Sequence, residues 1–294
     1  MEEEILEKYR EAGKIAKIVR EEGKKLVKPG IKLIEVAETI EKRIKELGGI
    51  PAWPLNISIN EIAAHYSPTQ EDNTIIKEDD LVKLDIGVSV GGYIADTATT
   101  IALSEKDKIL VDAAEKALEE AIKLVKIGID VNKIATKIEE VIKSYNLNPI
   151  INLTGHGLER FVVHAEPRIP NYNNNYHYNL EEGQVIAIEP FATRGRNFVK
   201  EEDESRALTY SLIQEKPCRS KEAREIIKKM KERKGMPFSD RWLNIKGAKL
   251  RLAIKELKDK KCLQVHRILR GDSKISHAEH TLIILEKPII ITKL

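Results

Sequence analysis

A mixed α/β (α+β) fold built from two similar halves is what this 294-residue sequence predicts. Two helical stretches precede a hairpin pattern, and a second helical pair follows it. Strand-like apolar runs then recur to the C-terminus, broken by one basic segment. The order helix-helix-hairpin, then helix-helix-strands, suggests the two halves, although no internal repeat is visible by identity.

The elements follow from local pattern. Residues 3–27 place Ile5, Leu6, Tyr9, Ile15, Ile18 and Val19 at helical spacing, and Lys28-Pro29-Gly30 ends the run. A second helix is expected from about Leu33 to Leu47, stopped by Gly48-Gly49. Residues 81–103 read as a β-hairpin turning at Gly91-Gly92. Helices at about 105–126 and 131–144 are separated by Gly128. A strand is expected near 148–153, a polar loop at Asn171–Asn179, and further strands at about 184–192, 198–213 and 276–292.

Between the last two strands the composition changes. Lys216–Lys261 holds 17 Lys and Arg against 6 Asp and Glu, an excess of +11 within a chain totalling +3, so the remainder carries −8. This segment reads as an inserted basic subdomain, 214–265, with helices at 221–234 and 247–258 and strand-like residues near 262–269. The rest, 1–213 and 266–294, forms the main domain. The basic excess fits a solvated helical face better than the alternative, a phosphate-neutralising contact with a ribosome.

Composition bounds the setting. Hydrophobic residues make up 41% and charged residues 33%, as in a globular protein. The N-terminus MEEEILEKYREAGK is unlike a signal peptide, and no apolar run nears the ~18 residues of a membrane span. Two cysteines, Cys218 and Cys262, fit reduced structural thiols. A cytoplasmic protein with no membrane association is expected.

The chemistry concentrates in five residues: Asp85 in VKLDIG, Asp96 in GYIADTATT, His156 in LTGHGLERF, Glu189 in IAIEPF and Glu279 in HAEHTLII. An acid inside an apolar strand is costly unless its charge is compensated. Four carboxylates carry −4 and two divalent cations +4, and a neutral imidazole completes such a donor set. The hairpin allows two registers. A two-residue loop at Gly91-Gly92 sets Asp96 opposite Gly87, with Asp85 its diagonal neighbour, whereas a four-residue loop sets the aspartates directly opposite. Either way both point to one face. Alone, the pair also fits a solvent-facing hairpin.

Together the segments NISINEIAAHYSP, VKLDIG, GGYIADTATT, LTGHGLERFVVHAEP, AIEPFAT and AEHTLII resemble the methionine aminopeptidase family in its type 2, archaeal and eukaryotic, form. The resemblance covers nearly the whole chain, the insert included. It implies the pita-bread fold, with pseudo-twofold halves around a curved antiparallel sheet, and two divalent ions per chain, drawn from Co, Mn, Fe or Zn. It implies Asp85 as the chelating ligand of one ion, Asp96 and Glu279 as bridging ligands, and His156 and Glu189 as ligands of the other. His65 and His164 match the family's substrate-contacting histidines. Trp53 and Val163 match residues lining the methionine slot, although type 2 enzymes commonly carry Phe where Trp53 stands. The implied activity is removal of the N-terminal methionine from nascent chains by a monomeric enzyme, with Glu189 shuttling the proton. The other four histidines, His177, His266, His277 and His280, are expected to be structural or exposed. Prolidase-like enzymes share the fold, but usually carry a further domain ahead of the aspartate hairpin, which here begins near residue 81. A non-enzymatic relative would have lost these ligands.

Overall fold

The computed structural model describes every residue from Met1 to Leu294. Helix α1 (Glu3–Leu26) buries Leu6, Tyr9, Ala12, Ile15, Ala16 and Val19 along one stripe. Gly13 lies in that stripe because a Cβ there would come within 2.3 Å of the Ile291 carbonyl oxygen. Helix α2 (Leu33–Glu46) buries Leu33, Val36, Ala37, Ile40 and Ile44, and the chain turns at Gly48 with φ +92°.

Strand β1 (Asn56–Ile59) pairs with β2 (Leu81–Val90), which turns into β3 (Tyr93–Ala102). The turn is the two-residue alternative: Val90 pairs with Tyr93 and Gly87 with Asp96. Gly91 and Gly92 have φ of +60° and +94°, which glycine adopts without strain and which matches strand twist. Helices α3 (Lys108–Lys123) and α4 (Val131–Ser144) pack on each other and open the second half. The Asp130 side chain caps α4 by accepting from Asn132 N at 3.0 Å.

The second half contributes β4 (Thr154–Glu159), β5 (Val162–Pro170), β6 (Val185–Ile188) and β7 (Phe191–Thr193), followed late in the chain by β8 (Ile275–His277) and β9 (Glu279–Ile283). The main sheet has nine strands, all paired antiparallel, running Ile50–Pro51, β2, β3, β9, β6, β4, β5. β1 adds to the edge of β2, and Ile289–Ile290 pairs with β9. The first and last thirds of the chain therefore meet at the centre of the sheet, where β3 lies beside β9.

Period-two alternation sorts the faces. Leu84, Ile86 and Val88 join a buried cluster with α1 and α2, whereas Ile186, Ile188 and Leu282 join one with α3 and α4. The clusters hold 29 and 22 buried residues, so neither half is an appendage of the other. The chain is the curled half-barrel expected of the pita-bread fold.

Several expectations need correction. The strand expected over 198–213 is two short strands, Lys200–Glu201 and Thr209–Leu212, around a 3₁₀ turn at Glu204–Arg206. Near 148–153 only Asn148–Pro149 is extended as a strand. The hairpin of β4 and β5, which carries His156 and His164, was not anticipated. Its pattern is masked by register shifts and by glycines, since a Cβ at Gly155 or Gly157 would approach a carbonyl oxygen to 2.4 or 2.1 Å.

In the basic segment, Thr209–Leu212 pairs with both Phe238–Ser239 and Leu263–His266, so the chain leaves and returns on neighbouring strands. Helices α5 (Lys221–Met230) and α6 (Gly247–Asp259) enclose a separate cluster of 14 buried residues. That cluster includes the free thiols of Cys218 and Cys262. Lys221, Arg224, Lys228 and Lys229 of α5 are exposed. No helix is long and apolar enough to cross a membrane.

Candidate metal centre

Strand register brings the five candidate ligands together. Ala98 of β3 pairs with both Asp85 of β2 and Glu279 of β9, and Asp96 stands two residues away on the same face. Across the next ladder His280 pairs with Ile188, so Glu279 and Glu189 stand one step further on. His156 pairs with Ala187 on β6. Residues distant in sequence thus line one cavity of about 420 Å³, whose walls also include His65, His164, Trp53 and Val163. The structure brings together all nine residues singled out from sequence.

The cavity floor is acidic. Asp96 is 3% exposed and Glu279 2%, and no Lys or Arg forms an ion pair with Asp85, Asp96, Glu189 or Glu279. Asp85 accepts from Asn56 Nδ2 at 3.0 Å and Trp53 Nε1 at 3.3 Å. Burial nevertheless pushes its carboxyl up to about 6, with those two donors opposing the rise. Burial raises Asp96 well above the usual range, reinforced by the charge of Asp85. Burial does the same to Glu189, with Asp96 and Asp85 adding repulsion, and to Glu279, which also feels Glu189. Asp96 Oδ1 has no hydrogen-bond partner. Four crowded acids, one with an orphaned oxygen and none with a basic partner, form a donor set that fits divalent cations.

The histidines are held neutral. His156 Nδ1–H donates to the Gly157 carbonyl at 3.0 Å, leaving Nε2 as the free nitrogen, 3.6 Å from Asp96 Oδ2. Burial lowers its pKa to about 4. The His164 ring lies edge-on to His156, centroids 4.5 Å apart, and burial lowers its pKa to about 2. His65 has a left-handed backbone, φ +65°, and its Nδ1–H donates to the Arg267 carbonyl at 2.9 Å. Burial depresses its pKa as well.

The expectation that the other four histidines are structural or exposed holds for two of them. His177 is largely exposed beside Asp130, and His280 is buried against Arg20 and Thr292 on the other side of the sheet. His266 and His277 instead reach the cavity wall. His266 faces His65 at 5.9 Å between centroids and shares a 2.9 Å hydrogen bond with Ser211. His277 lies 3.4 Å from Glu189 Oε2 and 3.7 Å from Glu279 Oε2. The available signal was spacing, since His277 precedes Glu279 by two residues and shares its strand face.

A family model described as metallopeptidase family M24 matches residues 7–215. A methionine aminopeptidase of Pyrococcus abyssi is 44% identical over 293 residues, covering 98% of this chain and 99% of the relative. That of Methanocaldococcus jannaschii is 45% identical over 295 residues, covering 99% of both. Among solved structures, a methionine aminopeptidase from Thermotoga maritima superposes with TM-score 0.73 at 25% identity, covering 99% of this chain and 98% of its own. A thermophilic Arx1 superposes with TM-score 0.86 at 20% identity, covering 99% and 91%, a likeness of fold.

Proposed function

The chain belongs to metallopeptidase family M24, among its archaeal type 2 methionine aminopeptidases, and from this we propose that it hydrolyses the peptide bond after the N-terminal methionine of newly made proteins in the cytoplasm, with two divalent cations at the acidic floor. The observation that carries the reading is the set of four clustered carboxylates, Asp96 and Glu279 buried and Asp85 and Glu189 half-buried, with no Lys or Arg partner, beside the free Nε2 of His156. Asp85, Asp96, His156, Glu189 and Glu279 would hold the ions. Once bound, they acidify a water and polarise the scissile carbonyl.

The protein's own groups do the rest. Glu189 takes the proton of the attacking water and passes it to the leaving amine nitrogen, so the new N-terminus departs neutral. His164, neutral at working pH, donates an N–H toward the developing oxyanion. His65, its tautomer fixed by Arg267, contacts the scissile nitrogen through Nε2. Asp96 lies near the substrate's α-amine. Trp53 and Val163 form an apolar slot for the methionine side chain, and the indole N–H holds Asp85 at the same time.

The test is direct. Protein reconstituted with Co(II) or Mn(II) should release free methionine from Met-Ala-Ser and leave Ala-Pro-Ala intact. Cleavage of Ala-Pro-Ala alone would indicate a proline-directed peptidase, and silence on both would remove the enzymatic reading. The exposed lysines of α5 are the surface for a ribosome contact. Replacing Lys221, Lys228 and Lys229 with Gln should weaken salt-sensitive co-sedimentation with ribosomes, and unchanged co-sedimentation would remove that contact.

A further inference from the structure

His277 has no role so far, yet its surroundings are unusual. It is 2% exposed, and neither ring nitrogen has a hydrogen-bond partner. A buried imidazole with both nitrogens unpaired calls for an explanation. Its position is set by register. Phe191 of β7 pairs with His277 of β8, continuing the ladder that pairs Ile188 with His280, and Ala278 N donates to the Pro190 carbonyl between them at 3.2 Å. His277 therefore stands two residues from Glu279 on the same face, as Phe191 does from Glu189. The Phe191 ring stacks on the imidazole at 3.9 Å between centroids and 12° between planes, which fixes the ring in its place.

Nε2 of that fixed ring faces Glu189 Oε2 at 3.4 Å and Glu279 Oε2 at 3.7 Å. These separations are long for N–H···O hydrogen bonds, which cluster at about 2.9–3.0 Å. They match the edges of a coordination polyhedron, because donors about 2.0–2.1 Å from one ion stand roughly 3–3.5 Å apart. The 3.6 Å between His156 Nε2 and Asp96 Oδ2 is the same kind of spacing. His277, Glu189 and Glu279 also form a ligand-competent triad of their own, sharing Glu279 with the triad of Asp96, His156 and Glu279.

We infer that His277 is a sixth protein ligand, binding through Nε2 the ion that Glu189 and Glu279 hold, so that the centre is bound by two imidazoles rather than one. The inference rests on the metallopeptidase reading. The ring nitrogen adds a neutral donor and leaves the charge balance of four carboxylates and two dications unchanged.

The experiment is proton NMR of the full chain loaded with two equivalents of Co(II), counting strongly shifted, solvent-exchangeable imidazole N–H signals. Two are expected in the parent protein. His277→Gln should remove one and lower the affinity for one Co(II) equivalent, read by calorimetry, by at least about tenfold. His156→Ala should remove the other signal. A single signal in the parent, lost only in His156→Ala, would overturn the inference, and the parent spectrum decides this even if a variant does not fold. Absence of any Co(II) binding, with no methionine release, would instead sink the metallopeptidase reading itself.

Discussion

Lys83 stands two residues before Asp85 on the same face of β2 and is 1% exposed. Its ammonium donates only to the carbonyls of Asn60 and Ile275, each at 2.9 Å, so the nearby charges of Glu61 and Asp80 oppose the effect of its burial without a direct ion pair. Burial lowers its pKa from 10.5 to about 7. Between those values the unfolded chain binds more protons than the folded one, so this residue makes stability rise with pH across that window. Lys83→Met should remove up to about 1.4 kcal/mol per pH unit of that rise, measured as the difference from the parent in urea unfolding between pH 7.5 and 9.5. Identical pH slopes would show that Lys83 is not desolvated as described. Glu189 gives a second contrast. Glu189→Gln removes the proposed proton shuttle and should lower kcat by roughly 10²–10⁴. It also replaces a desolvated carboxyl, whose pKa is raised on folding, by a neutral amide, so the metal-free variant should melt higher than the metal-free parent at pH 7. A lower melting temperature would contradict the repulsion inferred among the four acids.

At the scale of elements, the basic segment is clamped to α2. Glu41 of α2 accepts from Arg241 at 2.7 and 2.9 Å, from Trp242 Nε1 at 2.7 Å and from Leu55 N at 3.0 Å. Both charged side chains of the pair are nearly inaccessible, at 2% and 5%. Breaking a buried pair strands the partner charge, so Arg241→Met should cost about 3–5 kcal/mol in equilibrium unfolding. A change below about 1 kcal/mol would mean that the clamp behaves as a surface ion pair. A second anchor braces the segment that leads into Trp53 on the cavity wall. Arg233 donates to the carbonyls of Pro51 and Ala52 at 2.9 and 2.8 Å, directly before Trp53. Arg233→Ala should loosen the slot wall and raise KM for a Met-initiated peptide by about tenfold, worth ~1.4 kcal/mol, with a smaller effect on kcat. Equal losses in kcat and kcat/KM would place the role of Arg233 in the transition state instead.

At the scale of the whole molecule, the sheet gathers acids from both halves and gives the metal-free protein an inverted pH response. The folded-state pKa of Asp85 rises from 3.8 to about 6, and those of Asp96, Glu189 and Glu279 are raised well above the usual carboxylate range. For a raised carboxyl the folded state holds more protons than the unfolded one, so stability falls as pH climbs through the interval. With chelator present, the contribution of this cluster should lower the melting temperature between pH 4.5 and 7. Saturating Mn(II) or Co(II) should restore the loss, because cations replace the protons. A quadruple variant carrying Asn or Gln at the four acids should show neither effect.

How far the sequence reached varies with the kind of signal. Helices α1 to α4 were legible because each buries one stripe, and α1 to α3 are followed by a Pro-Gly, a Gly-Gly or a lone Gly, whereas α4 is followed by Asn146 in the left-handed conformation. The β2–β3 hairpin was legible because Gly91-Gly92 fixes the turn locally, although only the structure chose between its two registers. The β4–β5 hairpin was not, because its glycines answer to carbonyls of other strands.

The sequence by itself determined the chemistry. Asp85, Asp96, Glu189 and Glu279 stand in apolar strand contexts that are unfavourable for lone charges, and that contradiction is visible residue by residue. Tertiary structure alone decided the company these acids keep. His277 looks ordinary in ISHAEHT, and only the ladder between β7 and β8 carries its ring to Glu189. Likewise Arg233 gains its role only where the folded insert meets Pro51 and Ala52. Local pattern records what a residue costs to bury, whereas partners across the sheet depend on the register of strands far apart in the chain.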